Sequence, residues 1–496
     1  MNIVLKSFDG APIDKIVLEH ALRGRDIGTC VFIGNDAANM PDLPMKEKIW
    51  LDARHLREDP LDDVDWNETA PLDAACIEGM RHCEAVYEEM IDRYTDKMQP
   101  YRLSGDIPHA ERRKRYFDHL RYWNDLLDAK KIDFVLLFHV PHQGYDYVLY
   151  GLCKFKRIPV LFLEHIWLGD KIFVFVSEDW EQPALELHRR LDALRAATEH
   201  PDDPVCLSPT FEAYYQHYSK GRPTPLYMPK HNEMTESSFL RKWGRKAMGL
   251  LRRNPRRFLI SVFSPRFWSK KIRQHATMRF YDRHCATSPD LSRSYVYFPL
   301  HLQPEATTLP LAGAYADQER IVHLLAAHLP PGTALYIKEH PAQGERCRSE
   351  DFYRSLLSIP SVTFVPRETD TYVLLDRAQA VATATGTVGL EALLRGKPVL
   401  MFGHFYYQYG PGVHPIRTSA DCKKAVETIG ADMTSARGSR PIVPLHAERE
   451  ARLFLKAFEE SATLFMDLTA SPDSISENDN ARNVGARIAE TMDRLL

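Results

Sequence analysis

The sequence predicts an α/β protein of two Rossmann-like, doubly wound domains facing a cleft, with a helical insertion in the first. Three observations predict it. Five short apolar runs alternate with helical patterns between Tyr295 and Phe402. Two more continuous apolar runs stand at Ile132–Phe138 and Pro159–Leu163. A chain of 496 residues also exceeds one ordinary core. Runs that are apolar at every position are the mark of parallel strands covered on both faces.

The first 35 residues read strand, helix, strand: Asn2–Leu5, Ile13–Leu22 and Thr29–Ile33. Helical spacing then runs from Ala70 to Tyr94 and from Ala110 to Leu127, which is the insertion. Between the strands at Ile132–Phe138 and Pro159–Leu163, Gly144–Lys154 predicts a crossover helix. In the second half, strands Tyr295–Leu300, Ala334–Lys338, Val362–Val365, Ala380–Thr383 and Val399–Phe402 are expected. The helices between them are Gln318–Leu329, Asp351–Leu357, Thr371–Arg377 and Val388–Arg395. The last of these stops at Gly396, with Pro398 beyond it. Such alternation specifies a doubly wound parallel sheet. The expected domains are 1–230, a basic segment 231–290, 291–455, and a helical tail 456–496 that follows a polar run at Ser471–Asn480.

Composition narrows the function. A net charge of −3 excludes a chain that is basic throughout. Eight scattered cysteines without a C-x-x-C pair read as reduced thiols, neither a disulfide frame nor a zinc site. The start MNIVLKSFDG reads as a strand and lacks the features of a signal peptide, and no apolar run approaches the roughly 20 residues of a membrane span. A cytoplasmic location is expected. Residues 241–275 hold twelve Lys or Arg and no Asp or Glu, interleaved with aromatic side chains such as Trp243, Phe263 and Trp268. This pattern leaves three readings open: a peripheral patch on the inner membrane, a cradle for an anionic glycan or glycolipid acceptor, or a solvated linker. Nucleic acid is not expected as a partner, because no known module surrounds the segment.

Ligands of an open parallel sheet bind beyond the carboxyl ends of its strands. Three segments of the second domain occupy that edge: Leu300–Glu305, Glu339–Pro341 and Thr383–Thr387. The turn at Thr385-Gly386-Thr387 opens a helix, where free amides, the helix dipole and threonine hydroxyls favour a phosphate. His340 is expected on the same rim, donating a hydrogen bond to the departing phosphate. His301, Gln303 and Glu305 add polar groups after the first strand of this domain, and the run His404–Tyr409 offers stacking surfaces. In the first domain, His139, His142 and Asp146 follow one strand and are expected on the acceptor side, while Glu164 and Asp170 follow the next. His139 and His142 have loose metal-ligand spacing, but no acidic cluster is seen to complete a site, so no metal is expected. Asp63-Val-Asp65 matches a D-x-D pattern but follows no apolar strand and is set aside. Neither a Walker loop nor a G-x-G-x-x-G fingerprint is present, which argues against an NTPase or a dinucleotide enzyme.

The set Phe298–Glu305, Lys338-Glu-His-Pro341, Ala384–Ala392 and Gly396–Gly403 resembles bacterial capsular polysaccharide biosynthesis proteins over about residues 290–415, and more diffusely over 130–180. The resemblance implies a two-domain GT-B glycosyltransferase, some relatives of which transfer Kdo from its CMP-activated form. It implies that His340 with Pro341, and Thr383, Thr385, Gly386 and Thr387, hold the nucleotide phosphate. The turn here is threonine-based where serine is frequent. The donor-side set is completed by His301, Gln303 and Lys338, and the catalytic candidates are His340, Glu305, Asp170 and Glu164. No cofactor is expected beyond a CMP- or UDP-linked co-substrate. The rival readings are a sugar-nucleotide epimerase or hydrolase of the same fold, and a non-catalytic glycan-assembly subunit.

Overall fold

The computed structural model describes residues 1–7, 12–58, 61, 64–66, 69–98, 108–197, 204–222, 248, 265–303, 305–340, 343, 348–435, 445–469 and 475–496. The chain divides into two compact units: Met1–Asp92 with Ile107–Leu194 and Ala457–Leu496, and Arg93–Asp106 with Arg195–Lys456. The α/β class with two doubly wound sheets is the predicted one.

The first unit is built on β1 (Ile3–Lys6), β2 (Ile27–Gly34), β3 (Met45–Asp52), β4 (Phe134–Leu137), β5 (Val160–Leu168), β6 (Lys171–Ser177) and β13 (Thr463–Asp467). Their order is β13-β6-β5-β4-β1-β2-β3. β1 to β5 are parallel, and β6 and β13 close the edge in antiparallel pairing. The order reverses between β1 and β4, which makes the gap beyond their carboxyl ends the switch point of this unit. The inner strands β1 and β4 are buried at every position, as continuous apolar runs require.

Of the segment 456–496, expected as a helical tail, Ala457–Leu496 fall in this unit. They supply β13 and the helix Ile475–Leu495, whose Ala481, Val484, Ile488 and Met492 pack with Val17, Leu18 and Ala21 of helix Pro12–Ala21. Gly485 lets the two helices touch: a Cβ there would lie 2.6 Å from the Cβ of His20 and 2.7 Å from the carbonyl oxygen of Val17. Each fully buried Val, Leu, Ile or Met side chain in this seam contributes about 1.5–3 kcal/mol.

The second unit carries β7 (Tyr295–Pro299), β8 (Ala334–Lys338), β9 (Val362–Val365), β10 (Ala380–Thr383), β11 (Val399–Met401) and β12 (Val413–Pro415). All are parallel, in the order β12-β11-β10-β7-β8-β9. β12 adds a sixth strand to the five expected. Here the order reverses between β7 and β10. Of the basic segment 231–290, residues 231–247 and 249–264 lie outside the described residues. Its last part opens helix Pro265–Arg283, which belongs to the second unit. Tyr281 on this helix is fully buried, and its hydroxyl donates to the carbonyl of Val365 at 2.6 Å and accepts from the amide of Glu339 at 2.9 Å. That end of the segment is therefore a clamp across the ends of β8 and β9. Among the described residues, no helix is long and apolar enough to cross a membrane.

Candidate functional site

The second unit's switch point is built by the residues that follow β7 and β10. Thr383 ends β10 in a buried position, and its Oγ1 accepts from the amide of Gly386 at 2.9 Å, closing the turn on itself. Helix Thr387–Leu394 starts immediately after, with no side chain capping it and no acid in its first turn. The hydroxyl of Thr385 donates to the carbonyl of Thr307, and the hydroxyl of Tyr407 to the carbonyl of Gly386. Of the four residues expected to hold phosphate, Thr383 and Thr385 are thus buried tethers, whereas Thr387 is exposed at the helix start. Among the described residues, the amides of Thr387 and Val388 meet no acceptor.

The imidazole hydrogen-bonded to this turn is that of His301. His301 Nε2 lies 3.0 Å from Thr383 Oγ1 and accepts from the amide of Thr385 at 3.2 Å. The reason is strand order: β7 is the neighbour of β10, while β8, which leads to His340, lies on its far side. His340 stands one strand away, half-buried, within electrostatic reach of His301, Glu305, Glu339 and Arg348. Burial lowers the pKa of the His340 ring, opposed by the charges of Glu339 and Glu305. Burial, then the charges of His340 and Arg348, bring His301 down to about 3, so it is neutral.

Behind these groups runs a buried polar frame. Arg348 pairs with Glu339 at 3.1 Å, both side chains almost fully buried, and donates to the carbonyl of His301 at 3.0 Å and to the side-chain oxygen of Gln303. Glu339 also accepts from the hydroxyl of Tyr353 and from the amide of His340 at 2.7 Å. Gln303 donates to the carbonyl of Ala316 at 2.7 Å, so its amide group braces the loop after β7. Lys338, expected among the donor-side groups, is buried and turned onto the carbonyl of Thr369 and, at 2.9 Å, the hydroxyl of Thr371; burial lowers its pKa to about 8. Pro341 and Asp63 lie outside the described residues. Arg348 and Tyr281 escaped the sequence reading, because neither stands at a strand end.

In the first unit, Lys6 ends β1, His139 follows β4, and Asp146 stands in the first turn of helix Tyr145–Lys156. All three meet at that unit's switch point. Lys6 Nζ is 2.9 Å from Asp146 Oδ2 and 2.5 Å from His139 Nε2, and Asp146 Oδ1 accepts from the amide of Gln143 at 2.7 Å. His139 and His142 both point Nδ1 at the carbonyl of Val140, at 2.9 and 2.7 Å. Burial and the charge of Lys6 hold the His139 ring well below its usual pKa. Asp146 supplies the acid that the two-histidine spacing lacks: one atom each of His139, His142 and Asp146 lie within 4.8 Å of one another. The cation at this group is the ammonium of Lys6, a residue that a buried strand ending in lysine could have signalled.

Glu164 and Asp170 do not follow a strand as expected. β5 runs on to Leu168, so Glu164 lies within it, and Asp170 sits in the tight turn to β6 beside Gly169. Glu164 accepts from the hydroxyl of Ser177 and from the amide of Ala184 at 3.0 Å, and burial pushes its carboxyl up to about 7. It holds Ala184 in a left-handed conformation, φ 47°.

The fold and this site define a doubly wound α/β protein with an uncapped helix start at the switch point of its second unit. Residues 269–435, the span that contains that switch point, match the family described as capsule polysaccharide biosynthesis protein, so the resemblance read from the motifs is shown for this span. No curated protein matches the chain. Among solved structures, it is similar to KpsC of Thermosulfurimonas dismutans, a beta Kdo 2,7 transferase, at 14% identity over 74% of this chain and 88% of that one, with a TM-score of 0.30. HepE of Anabaena in complex with UDP-glucose aligns at 12% identity over 100% of both chains, with a TM-score of 0.27. The UDP-GlcNAc 2-epimerase of Methanocaldococcus jannaschii aligns at 11% identity over 91% and 97%, with a TM-score of 0.24. Likeness at this level carries no information on chemistry.

Proposed function

We propose that the chain is a metal-independent glycosyltransferase of GT-B type, moving a sugar from a CMP- or UDP-linked donor onto a growing capsular or surface polysaccharide. CMP-Kdo is one donor that the family resemblance admits, and the resemblance does not fix the choice. The observation that carries the reading is the start of helix Thr387–Leu394: uncapped, without an acid, and placed at the switch point of a doubly wound sheet. Such a start is complementary to a phosphate. As the bond between the anomeric carbon and the phosphate oxygen breaks, negative charge grows on the leaving nucleotide, and the amides of Thr387 and Val388 stabilise it. His340 donates a hydrogen bond to the same phosphate. The acceptor hydroxyl forms the new bond and gives its proton to a carboxylate. Glu305, in electrostatic contact with His340, suits that role better than Glu164 in mid-strand or Asp170 in a hairpin turn. His139, His142 and Asp146 serve the acceptor side, and the protein works in the cytoplasm, in peripheral contact with the inner membrane through 241–275.

The test is transfer of labelled sugar from a panel of CMP- and UDP-sugars to a capsular oligosaccharide, with and without His340→Ala. Transfer by the unmodified chain that falls about a hundredfold in the variant, with melting unchanged, is expected. Near-normal turnover in His340→Ala removes the role of that residue. Rapid conversion of donor to an epimer or free sugar without acceptor means that the chain is an epimerase or hydrolase.

A further inference from the structure

A phosphate site made of backbone amides depends on what holds the backbone, and at this turn that is a histidine. The amide N–H of Thr385 points at His301 Nε2 from 3.2 Å, so Nε2 must present its lone pair. In a neutral ring the proton is then on Nδ1. The ring is fitted to the turn: a Cβ on Gly386 would come within 2.9 Å of Nε2 and 3.1 Å of Thr383 Oγ1. The backbone of His301 is fixed in turn, its amide donating to the side-chain oxygen of Gln318 at 2.7 Å and its carbonyl accepting from Gln318 at 3.2 Å and from Arg348 at 3.0 Å. With Thr385 N–H held by the imidazole and Gly386 N–H held by Thr383, the open donors of the turn move on to Thr387 and Val388.

A residue kept for packing would not need this chemistry. His301 is 8% exposed, and its Nδ1 is buried without a hydrogen-bond partner among the described residues. Phenylalanine would fill the volume without leaving a buried donor unpaired, but it could not accept from Thr385.

We infer that His301 is a positioning residue, a neutral Nδ1–H imidazole whose Nε2 takes the amide of Thr385 so that an incoming phosphate is directed to the amides of Thr387 and Val388. The charged or titratable groups that face it are His340, after β8, and Arg348, in the loop beyond; both disfavour its protonation, as burial does. The identity of the anion as a donor phosphate rests on the function proposed above, whereas the geometry of the turn does not.

The experiment is nitrogen-detected NMR of the histidine side chains in the full chain, with His301 assigned by difference from His301→Gln. The expected result is an unprotonated Nε2 and no titration from about pH 5 to about pH 8. Alongside it, CMP and UDP binding is measured for the unmodified chain, His301→Gln and His301→Phe. The phenylalanine variant should weaken binding by about tenfold or more, and the glutamine variant, which keeps an acceptor, should recover part of that loss. A proton on Nε2, or titration within the range, overturns the inference, as does a phenylalanine variant that melts normally and binds as the unmodified chain does. Where the phenylalanine variant fails to fold, the tautomer in the unmodified chain decides. Failure of the unmodified chain to bind any CMP or UDP compound sinks the donor reading instead, and leaves the tautomer result standing.

Discussion

The two sheets end in switch points of the same construction and opposite electrostatic state. In each, the strand order reverses beside the first strand of the unit, β1 or β7, and a helix starts there without a capping side chain. Helix Tyr145–Lys156 carries Asp146 in its first turn, and that carboxylate is already joined to Lys6 and to the amide of Gln143. The positive end of this helix has its anion, and the anion has its cation. Helix Thr387–Leu394 has neither an acid in its first turn nor a capping side chain, and the histidine beside it is neutral. A helix start attracts negative charge by about 0.3–1 kcal/mol when exposed and more when partly buried. The first switch point satisfies that attraction from within the chain, and the second leaves it for a ligand. On the proposed function, this difference is what favours the second unit as the seat of the donor phosphate.

The largest expected effect breaks the first switch point. Lys6→Met removes one partner of a pair whose side chains are 2% and 0% exposed. It should destabilise the first unit by about 3–5 kcal/mol, with much of that recovered by pairing it with Asp146→Leu. Denaturant unfolding followed by tryptophan fluorescence checks this, and a Lys6→Met chain as stable as the parent would mean that the buried ion pair does not hold the unit together. Next in size, Gly386→Ala forces a Cβ to within 2.9 Å of His301 Nε2 and should weaken CMP or UDP binding about ten- to a hundredfold in a titration, since the turn must shift.

Glu164 in the first unit and Glu391 in the second are buried carboxyls that supply a pH signature. Burial pushes Glu164 and Glu391 from 4.5 up to about 7. A raised folded pKa means that the native state binds more protons than the unfolded chain between about pH 4.5 and about pH 7, so stability falls as pH rises through that window. Melting temperature should therefore decline from pH 5 toward about 7.5, and Glu391→Gln and Glu164→Gln should each flatten the decline. An unaltered slope in both variants would show that these carboxyls ionise normally. The smallest effect concerns Thr387, exposed at the helix start: Thr387→Val should cost about 0.5–1.5 kcal/mol of nucleotide affinity and leave melting unchanged, whereas Thr385→Val, which loses a buried hydroxyl bonded to Thr307, should lower the melting temperature.

What could be read from the residues follows the same division. β7 to β11 were legible because each is a short apolar run set off by turns and amphipathic helices, so local pattern and final burial agree. β3 was not, since Lys46, Glu47 and Lys48 give it the polar face of an edge strand. β13 joins β6 across nearly three hundred residues of chain, a pairing that no local pattern announces. At the site, the Thr-Gly-Thr turn and both histidines were legible as strand-end residues. Which histidine meets the turn was not, because chain order does not reveal that β7 lies between β8 and β10. Lys6 was passed over for a related reason: its partner Asp146 is supplied from far along the chain.

The central claim is that the start of helix Thr387–Leu394 is the phosphate seat, and a crystal structure of the chain soaked with CMP or UDP tests it most directly. A phosphate oxygen is expected within hydrogen-bond distance of the amides of Thr387 and Val388, with the Lys6–Asp146 pair undisturbed. A phosphate bound instead at Lys6 and His139, with Asp146 displaced, would contradict it.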